Sequence, residues 1–126
     1  MKVRIDLGAE SPVWRQIADQ IRALLVSGQL RPGARLATVR ELAIDLGVNH
    51  NTVATAYGRL ADEGFLRLVR GVGAEVVERA APKAPAGETE RFGRRLSALV
   101  AEARASGLPS LTLQAALLRA AEDLLP

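Results

Sequence analysis

The polar run Asn49-His50-Asn51-Thr52, followed by Thr55, is the stretch with the most to offer another molecule. Asn, His and Thr carry short hydrogen-bond donors and acceptors, and almost no apolar side chain interrupts them. A hydrophobic core would not accommodate such a cluster, but the major groove of a duplex would. Base edges there present a readable pattern of donors and acceptors, and phosphates are held by small polar side chains and by helix N-termini. The competing reading is a set of capping and solvated residues at the start of an ordinary helix.

The surrounding residues predict how the cluster is held. Leu42, Ala43 and Leu46 share one face at helical spacing, Gly47 permits the left-handed backbone that stops a helix, and Val53, Ala56, Tyr57 and Leu60 resume the pattern. Asn49 is a favourable N-cap for the second helix. This is a helix-turn-helix pattern, with small Ala43 where the helices approach and β-branched Val53 as the plug.

Upstream, Val3, Ile5 and Leu7 alternate with Arg4 and Asp6, which predicts a weak strand or an extended arm. Ser11 is expected to cap a helix with Pro12 in its first turn and an apolar stripe of Val13, Trp14, Ile17, Ile21, Leu24 and Leu25, ended by Gly28. A Gly- and Pro-punctuated loop follows, ending in a short strand near Arg35 to Ala37. That loop leaves Arg35 and Arg31 near the first helix of the pair, where they either meet a phosphate backbone or stay solvated.

Downstream, Phe65 to Arg70 alternates as a strand and Ala74 to Val77 answers it across Gly71-Val72-Gly73, which predicts a β-hairpin. The two glycines do not form a phosphate-cradling loop, because no helix follows Gly73 and no lysine stands at the required offset. Helix, helix-turn-helix and hairpin in that order make a winged helix.

Residues 79–87, rich in proline and alanine, read as a linker. Beyond it, Thr89 is expected to cap a helix bearing Phe92, Leu96, Leu99, Val100 and Ala103, and Ser110 one bearing Leu113, Leu117, Leu118, Ala121, Leu124 and Leu125. Two such short helices are marginal alone. Their apolar surface needs cover, for which the same helices of a second subunit are the favoured candidate over the chain's own winged helix. The dimerisation residues expected are Phe92, Leu96, Leu99, Val100, Leu113, Leu117, Leu118 and Leu124.

Composition bounds the chemistry. The chain has 126 residues, a net charge of +3 from 17 basic and 14 acidic residues, no cysteine and one histidine. Bulk charge is only mildly favourable for nucleic acid. No disulfide framework or thiolate metal site can form, a histidine cage is impossible, and no cofactor is called for. No nucleophile stands in a recognisable relation to His50, and no paired carboxylates suggest a pocket, so an enzyme is not expected. The start Met-Lys-Val-Arg-Ile-Asp-Leu lacks the apolar core of a signal peptide and no apolar run reaches membrane-spanning length, so a cytoplasmic protein without a membrane partner is expected.

The fold expected is mainly α with a small β-hairpin: a winged helix-turn-helix domain over residues 1–78, a linker over 79–87 and a helical dimerisation tail over 88–126.

These residues resemble the DNA-binding domain of the GntR superfamily of bacterial transcription regulators. The match runs from Val13-Trp-Arg-Gln-Ile17 through Gly28 to Gly33, Leu36, Val39-Arg-Glu-Leu-Ala43, Leu46-Gly-Val-Asn-His-Asn-Thr-Val53, Ala56-Tyr57, Leu60, Glu63-Gly64 and the Gly71-x-Gly73 wing. The two-helix tail is similar to that of the YtrA-like branch, which dimerises through it. A tail of this length does not enclose the ligand cavities of the larger branches or an aminotransferase-like domain.

The resemblance implies a DNA contact from Arg40, whose outward direction follows from the inward Val39 and Leu42; the bland alternative is a surface pair with Asp45. It places Asn49, His50, Asn51 and Thr52 at the recognition-helix tip and Gly71 at the minor groove. His50 stands where many relatives carry arginine, Val72 where an arginine is common, Ala74 for a usual threonine, and Ala37-Thr38 for a Pro-Ser pair. Arg70 or Arg67 is left to reach the backbone from the wing. The DNA-facing set expected is therefore Arg35, Thr38, Arg40, Asn49, His50, Asn51, Thr52, Thr55, Arg67, Arg70 and Gly71.

The function expected is a homodimeric repressor on a near-palindromic double-stranded DNA operator, with half-sites about 34 to 36 Å apart, and an unidentified small-molecule effector as the agent of release. The competing class is a winged-helix protein-interaction module without specific DNA binding.

Overall fold

A computed structural model of the chain describes residues 1–71, 73–80 and 82–124. The substitution at Val72 and the placement of Leu125 in the last apolar stripe lie outside the described residues. In chain order the elements are α1 (Val13–Val26), β1 (Arg35–Leu36), α2 (Val39–Leu46), α3 (His50–Asp62), β2 (Leu66–Val69), β3 (Gly73–Val76), α4 (Glu88–Ala105) and α5 (Ser110–Glu122). Backbone contacts divide them into two compact units, the first running from Met1 to Arg79 and the second beginning at Ala80. Among the described residues no helix is long and apolar enough to cross a membrane.

The first unit is built around α3. Its face of Val53, Ala56, Tyr57 and Leu60 is fully buried and meets Ile17, Ala18 and Ile21 of α1, Leu42 and Ala43 of α2, and Leu36, Leu66, Ala74 and Val76 from the sheet. Each aliphatic side chain of this size buried from water contributes about 1.5–3 kcal/mol. Tyr57 is buried as completely as its aliphatic neighbours, and its hydroxyl donates to the Ala37 carbonyl at 2.7 Å. Burial, with a smaller push from Glu41, raises the tyrosine pKa to about 12, so the ring stays neutral. The bond ties the middle of α3 to the segment entering α2.

Local signals set the turn. Thr38 caps α2 by accepting from the Glu41 N–H at 3.1 Å. Gly47, at φ 68°, ends α2 in the left-handed conformation, which lets the Val48 N–H return to the Ala43 carbonyl at 3.0 Å. Asn49 then caps α3, its side-chain oxygen accepting from the Asn51 N–H at 2.8 Å.

The hairpin gains a third strand. β3 lies between β1 and β2, all antiparallel, in the register Arg35↔Glu75, Leu36↔Ala74, Leu66↔Val76 and Val69↔Gly73. Gly73, at φ 114°, sits so close to β1 that a methyl group there would lie 3.3 Å from the Leu36 carbonyl oxygen and 3.4 Å from the Thr38 Cα. The turn end of the hairpin is thereby seated against the entry to α2.

Residues 3–7 form no strand, which leaves the arm alternative, and two glutamines of α1 bond its backbone. Gln20 bonds the Arg4 N–H and carbonyl, and Gln16 bonds the Asp6 N–H at 2.8 Å and its carbonyl at 3.0 Å. Ser11 does not cap α1. Pro12 takes that position with extended ψ of 150°, and its carbonyl accepts from Arg15 and Gln16. Likewise Gly87 and Pro109, not Thr89 and Ser110, precede α4 and α5, and neither helix has a side-chain cap. At Pro12 and Pro109 the ring fixes φ and the observed ψ is extended, 150° and 148°, so the proline serves as the helix entry and the neighbouring serine is displaced from the cap.

In the second unit Leu96, Val100, Ala103 and Leu113 are half-buried and no residue of α4 or α5 is fully buried. The turn is fixed by Leu108 N–H donating to the Ala103 carbonyl and Arg104 donating to the Leu108 carbonyl, both at 3.0 Å.

α1 and α3 are also joined by ions. Arg22 grips Glu63 with Nε and Nη2 at 2.8 and 2.6 Å, and Arg59 stacks over the Trp14 ring at 5.0 Å. The Arg22 hydrogen bonds hold the Glu63 carboxyl below the usual carboxylate range, against a smaller desolvation effect. A depressed carboxyl pKa stabilises the fold above its unfolded value and loses that contribution as pH falls through the folded value. Glu63→Gln is therefore expected to cost about 1 kcal/mol at neutral pH, with the gap to the wild type narrowing below about pH 4.3. Urea unfolding at pH 7 and pH 3 measures it, and an undiminished gap at pH 3 would contradict the assignment.

Candidate nucleic-acid interface

Burying one face of α3 leaves the other in solvent. Asn49, His50, Asn51 and Thr55 are exposed and Thr52 is half-exposed, so the polar tip stands clear of the first unit's core. Their hydrogen-bonding capacity is partly committed. The Asn49 oxygen serves the cap, which leaves its amide donors free, and the Thr55 hydroxyl donates to the Asn51 carbonyl at 2.8 Å and keeps its acceptor capacity. The side chains of His50, Asn51 and Thr52 have no hydrogen-bond partner among the described residues.

Arg40 is exposed one residue into α2 and stands at the join between two concave features. On one side a shallow depression runs along Arg40, Ala43, Ile44, Gly47, Val48 and His50. On the other, a groove of about 620 Å³ separates α2 and α3 from the hairpin, with Thr38, Arg40, Ala54, Leu68, Arg70 and Gly71 among its lining residues. Arg40 makes no ion pair with Asp45 or with any other carboxylate among the described residues, and neither does Arg70. Two free guanidinium groups, a helix N-terminus capped by Thr38 and the polar tip of α3 thus share one side of the unit. That set suits a polyanion with readable edges.

The remaining predicted residues are not in this group. Strand alternation puts Arg67 on the opposite face of the hairpin from Leu68 and Arg70, and there it bonds the Glu75 carboxylate at 2.6 Å. Arg35 pairs across from the same Glu75 on β3, and both arginines line a separate hollow with Val69 and Gly73. The Arg67 hydrogen bond, with help from the Arg35 charge, holds Glu75 below the usual carboxylate range. Arg35 and Arg67 thus sit around an acid on the sheet's outer face, while Arg40 of α2 and Arg70 line the groove on the other side with no carboxylate partner among the described residues.

Two apolar residues that the sequence reading passed over belong to the surface. Ile44 is 73% exposed between Arg40 and His50, and Leu68 is 50% exposed on the groove floor. Spacing alone points to both, since Ile44 lies one helical turn beyond Arg40 and Leu68 two strand residues before Arg70.

Comparison with known proteins identifies the family to which this fold belongs. The family described as bacterial regulatory proteins, gntR family, matches residues 14–76. The chain is 33% identical over 106 residues to the HTH-type transcriptional repressor YtrA of Bacillus subtilis, an alignment covering 84% of this chain and 82% of that protein. A solved structure of YtrA from Sulfolobus acidocaldarius, a GntR-family transcription factor, superposes with a TM-score of 0.60 at 38% identity over 78% of this chain and 97% of that one. The DNA-binding domain of AraR in complex with operator ORX1 superposes at 0.54 with 26% identity, covering 61% of this chain and 96% of that one. With the helix-turn-helix and the hairpin inside the matched segment and the relatives named as transcription regulators, not enzymes, the chain belongs to the GntR family of bacterial regulatory proteins.

Proposed function

We propose that the protein is a homodimeric repressor that binds a near-palindromic operator in double-stranded DNA. The observation that carries this reading is the convergence of Arg40, Arg70, Thr38 and the tip Asn49–Thr52 on one solvent-facing side, with no carboxylate pairing either arginine among the described residues. Asn51 and His50 read base edges, Thr52 and Thr55 hold the approach of the helix, and Arg40 clamps phosphate beside it. Arg70 and Gly71 follow the neighbouring groove from the wing. Arg67 reaches phosphate only by sharing itself with Glu75, and Arg35 lies on that same outer face of the sheet. The Bacillus relative is a repressor by name, and the AraR domain is bound to operator DNA, which supports both the partner and the direction of control. Repression is steric: two tips in successive major grooves occlude a promoter.

Dimerisation is assigned to residues 88–126, with 79–87 as the linker. Phe92 (62% exposed), Leu99 (62%), Leu117 (41%), Leu118 (64%) and Leu124 (71%) leave α4 and α5 with an apolar surface that a second copy covers, while Leu96, Val100 and Leu113 join the two helices to each other. Release of DNA follows from an effector that changes the separation of the two wings. These roles place the protein in the cytoplasm.

Titration of labelled upstream DNA at rising salt tests the reading. Binding should weaken steeply with salt, whereas the absence of any specific shift would favour a protein-interaction role. Arg40→Ala is expected to weaken binding about tenfold across sequences and to reduce the salt slope by about one per protomer, with the dimer intact. Unchanged affinity would remove Arg40 from the interface. Asn51→Ala should cost about 1–3 kcal/mol on the preferred site and far less on unrelated DNA, which competition binding resolves. A chain ending at residue 87 should fold, sediment as a monomer and bind weakly; a truncated dimer would overturn the role given to the tail.

A further inference from the structure

The point where the chain leaves the first unit is held by a residue to which no role has been given. After β3 the Val77 N–H still donates to the Phe65 carbonyl at 3.0 Å, and among the described residues no backbone bond ties residues 78–80 to the first unit. Two residues on, Arg79 turns back. Its Nε donates to the Glu63 carbonyl at 2.7 Å and its guanidinium lies 4.2 Å above the Phe65 ring. Its stem runs along Gly64, where a methyl group would stand 3.7–3.8 Å from Nε, Cδ and Cγ. Glu63 is the C-cap of α3, and its carboxylate is gripped by Arg22 of α1. Arg79 therefore docks the end of the unit onto the far end of the helix whose opposite tip carries Asn49–Thr52.

We propose that Arg79 fixes where the linker starts relative to the DNA-reading tip, and so sets the half-site spacing that the dimer accepts. The inference rests on the homodimer–operator reading above. A helix of 13 residues is a rigid rod of about 20 Å, so an anchor at its C-cap is an anchor relative to its N-terminus. Without the Arg79 contacts the last residue held to the first unit is Val77, so the segment free to move begins at residue 78 and not at 80. Two extended residues add up to about 7 Å per protomer. A base pair rises only about 3.4 Å, so the released length from two protomers spans several base pairs and the preference for one spacing should blur.

The test uses full-length wild type and Arg79→Ala on operators selected by the wild type, with the gap between half-sites changed by two base pairs either way, and on a single half-site. A two-base-pair change moves the second site about 7 Å and turns it by about 70°. Wild type should lose at least tenfold in affinity on the altered operators and R79A less than threefold. Half-site affinity should stay within twofold and the melting temperature within about 3 °C. R79A that discriminates spacing as sharply as wild type overturns the role of Arg79 alone. R79A that loses half-site affinity as well shows a folding role and also overturns it. Wild type that sediments as a monomer or ignores spacing overturns the homodimer reading together with the inference.

Discussion

Complete burial of one face of α3 is the constraint from which the rest of the first unit follows. Val53, Ala56, Tyr57 and Leu60 recur at helical spacing and are sealed by α1, α2 and the sheet. Because a helix has only one such face, the residues interleaved with them at the start of α3 are forced outward together. The Tyr57 hydroxyl, satisfied by the Ala37 carbonyl, allows a large side chain with a polar end to sit at the centre of that face without an unpaired group. The same bond fixes the entry to α2, whose second residue is Arg40. One buried helix face thus positions both the polar tip and the cation beside it.

Much of this was legible in the residues. Gly47 between two apolar stripes marks the turn, Asn49 and Thr38 are capping types at helix starts, and alternation on either side of Gly71 and Gly73 marks the hairpin. What was less legible depended on partners distant in sequence. The ion pair of Arg67 with Glu75 follows from strand register, and the place of Arg35 opposite the same acid needs β1 to join the far side of β3. Alternation at Val3 to Leu7 leaves strand and arm both open, and what decides for the arm is bonding to the side chains of Gln16 and Gln20, which no local pattern announces. The serine caps failed for a nearer reason, since Pro12 and Pro109 already take the extended backbone geometry of a helix entry, while α4 starts one residue before Thr89, after a left-handed Gly87.

The two units differ in how completely they bury themselves. The first has a closed core that includes a ring and four strongly buried sheet residues; the second has no fully buried residue in its helices, with Leu96, Val100, Ala103 and Leu113 half-buried and an outer surface rich in leucine. A helix pair of this kind reaches stability by association more readily than alone. In the proposed regulator the division has a purpose: recognition is built into a rigid unit, while the relation between two such units is left to a short segment and a self-complementary surface. Control of DNA binding then requires no change inside either unit.

The central claim is that the tip of α3 enters the major groove of duplex DNA. Guanine N7 lies in that groove, so its protection from dimethyl sulfate on DNA selected by the protein from a random pool reads the contact directly. The account predicts two clusters of protected guanines centred about one helical turn apart, with protection lost on disruption of Asn49–Thr52. Guanines that remain fully reactive at saturating protein would contradict it.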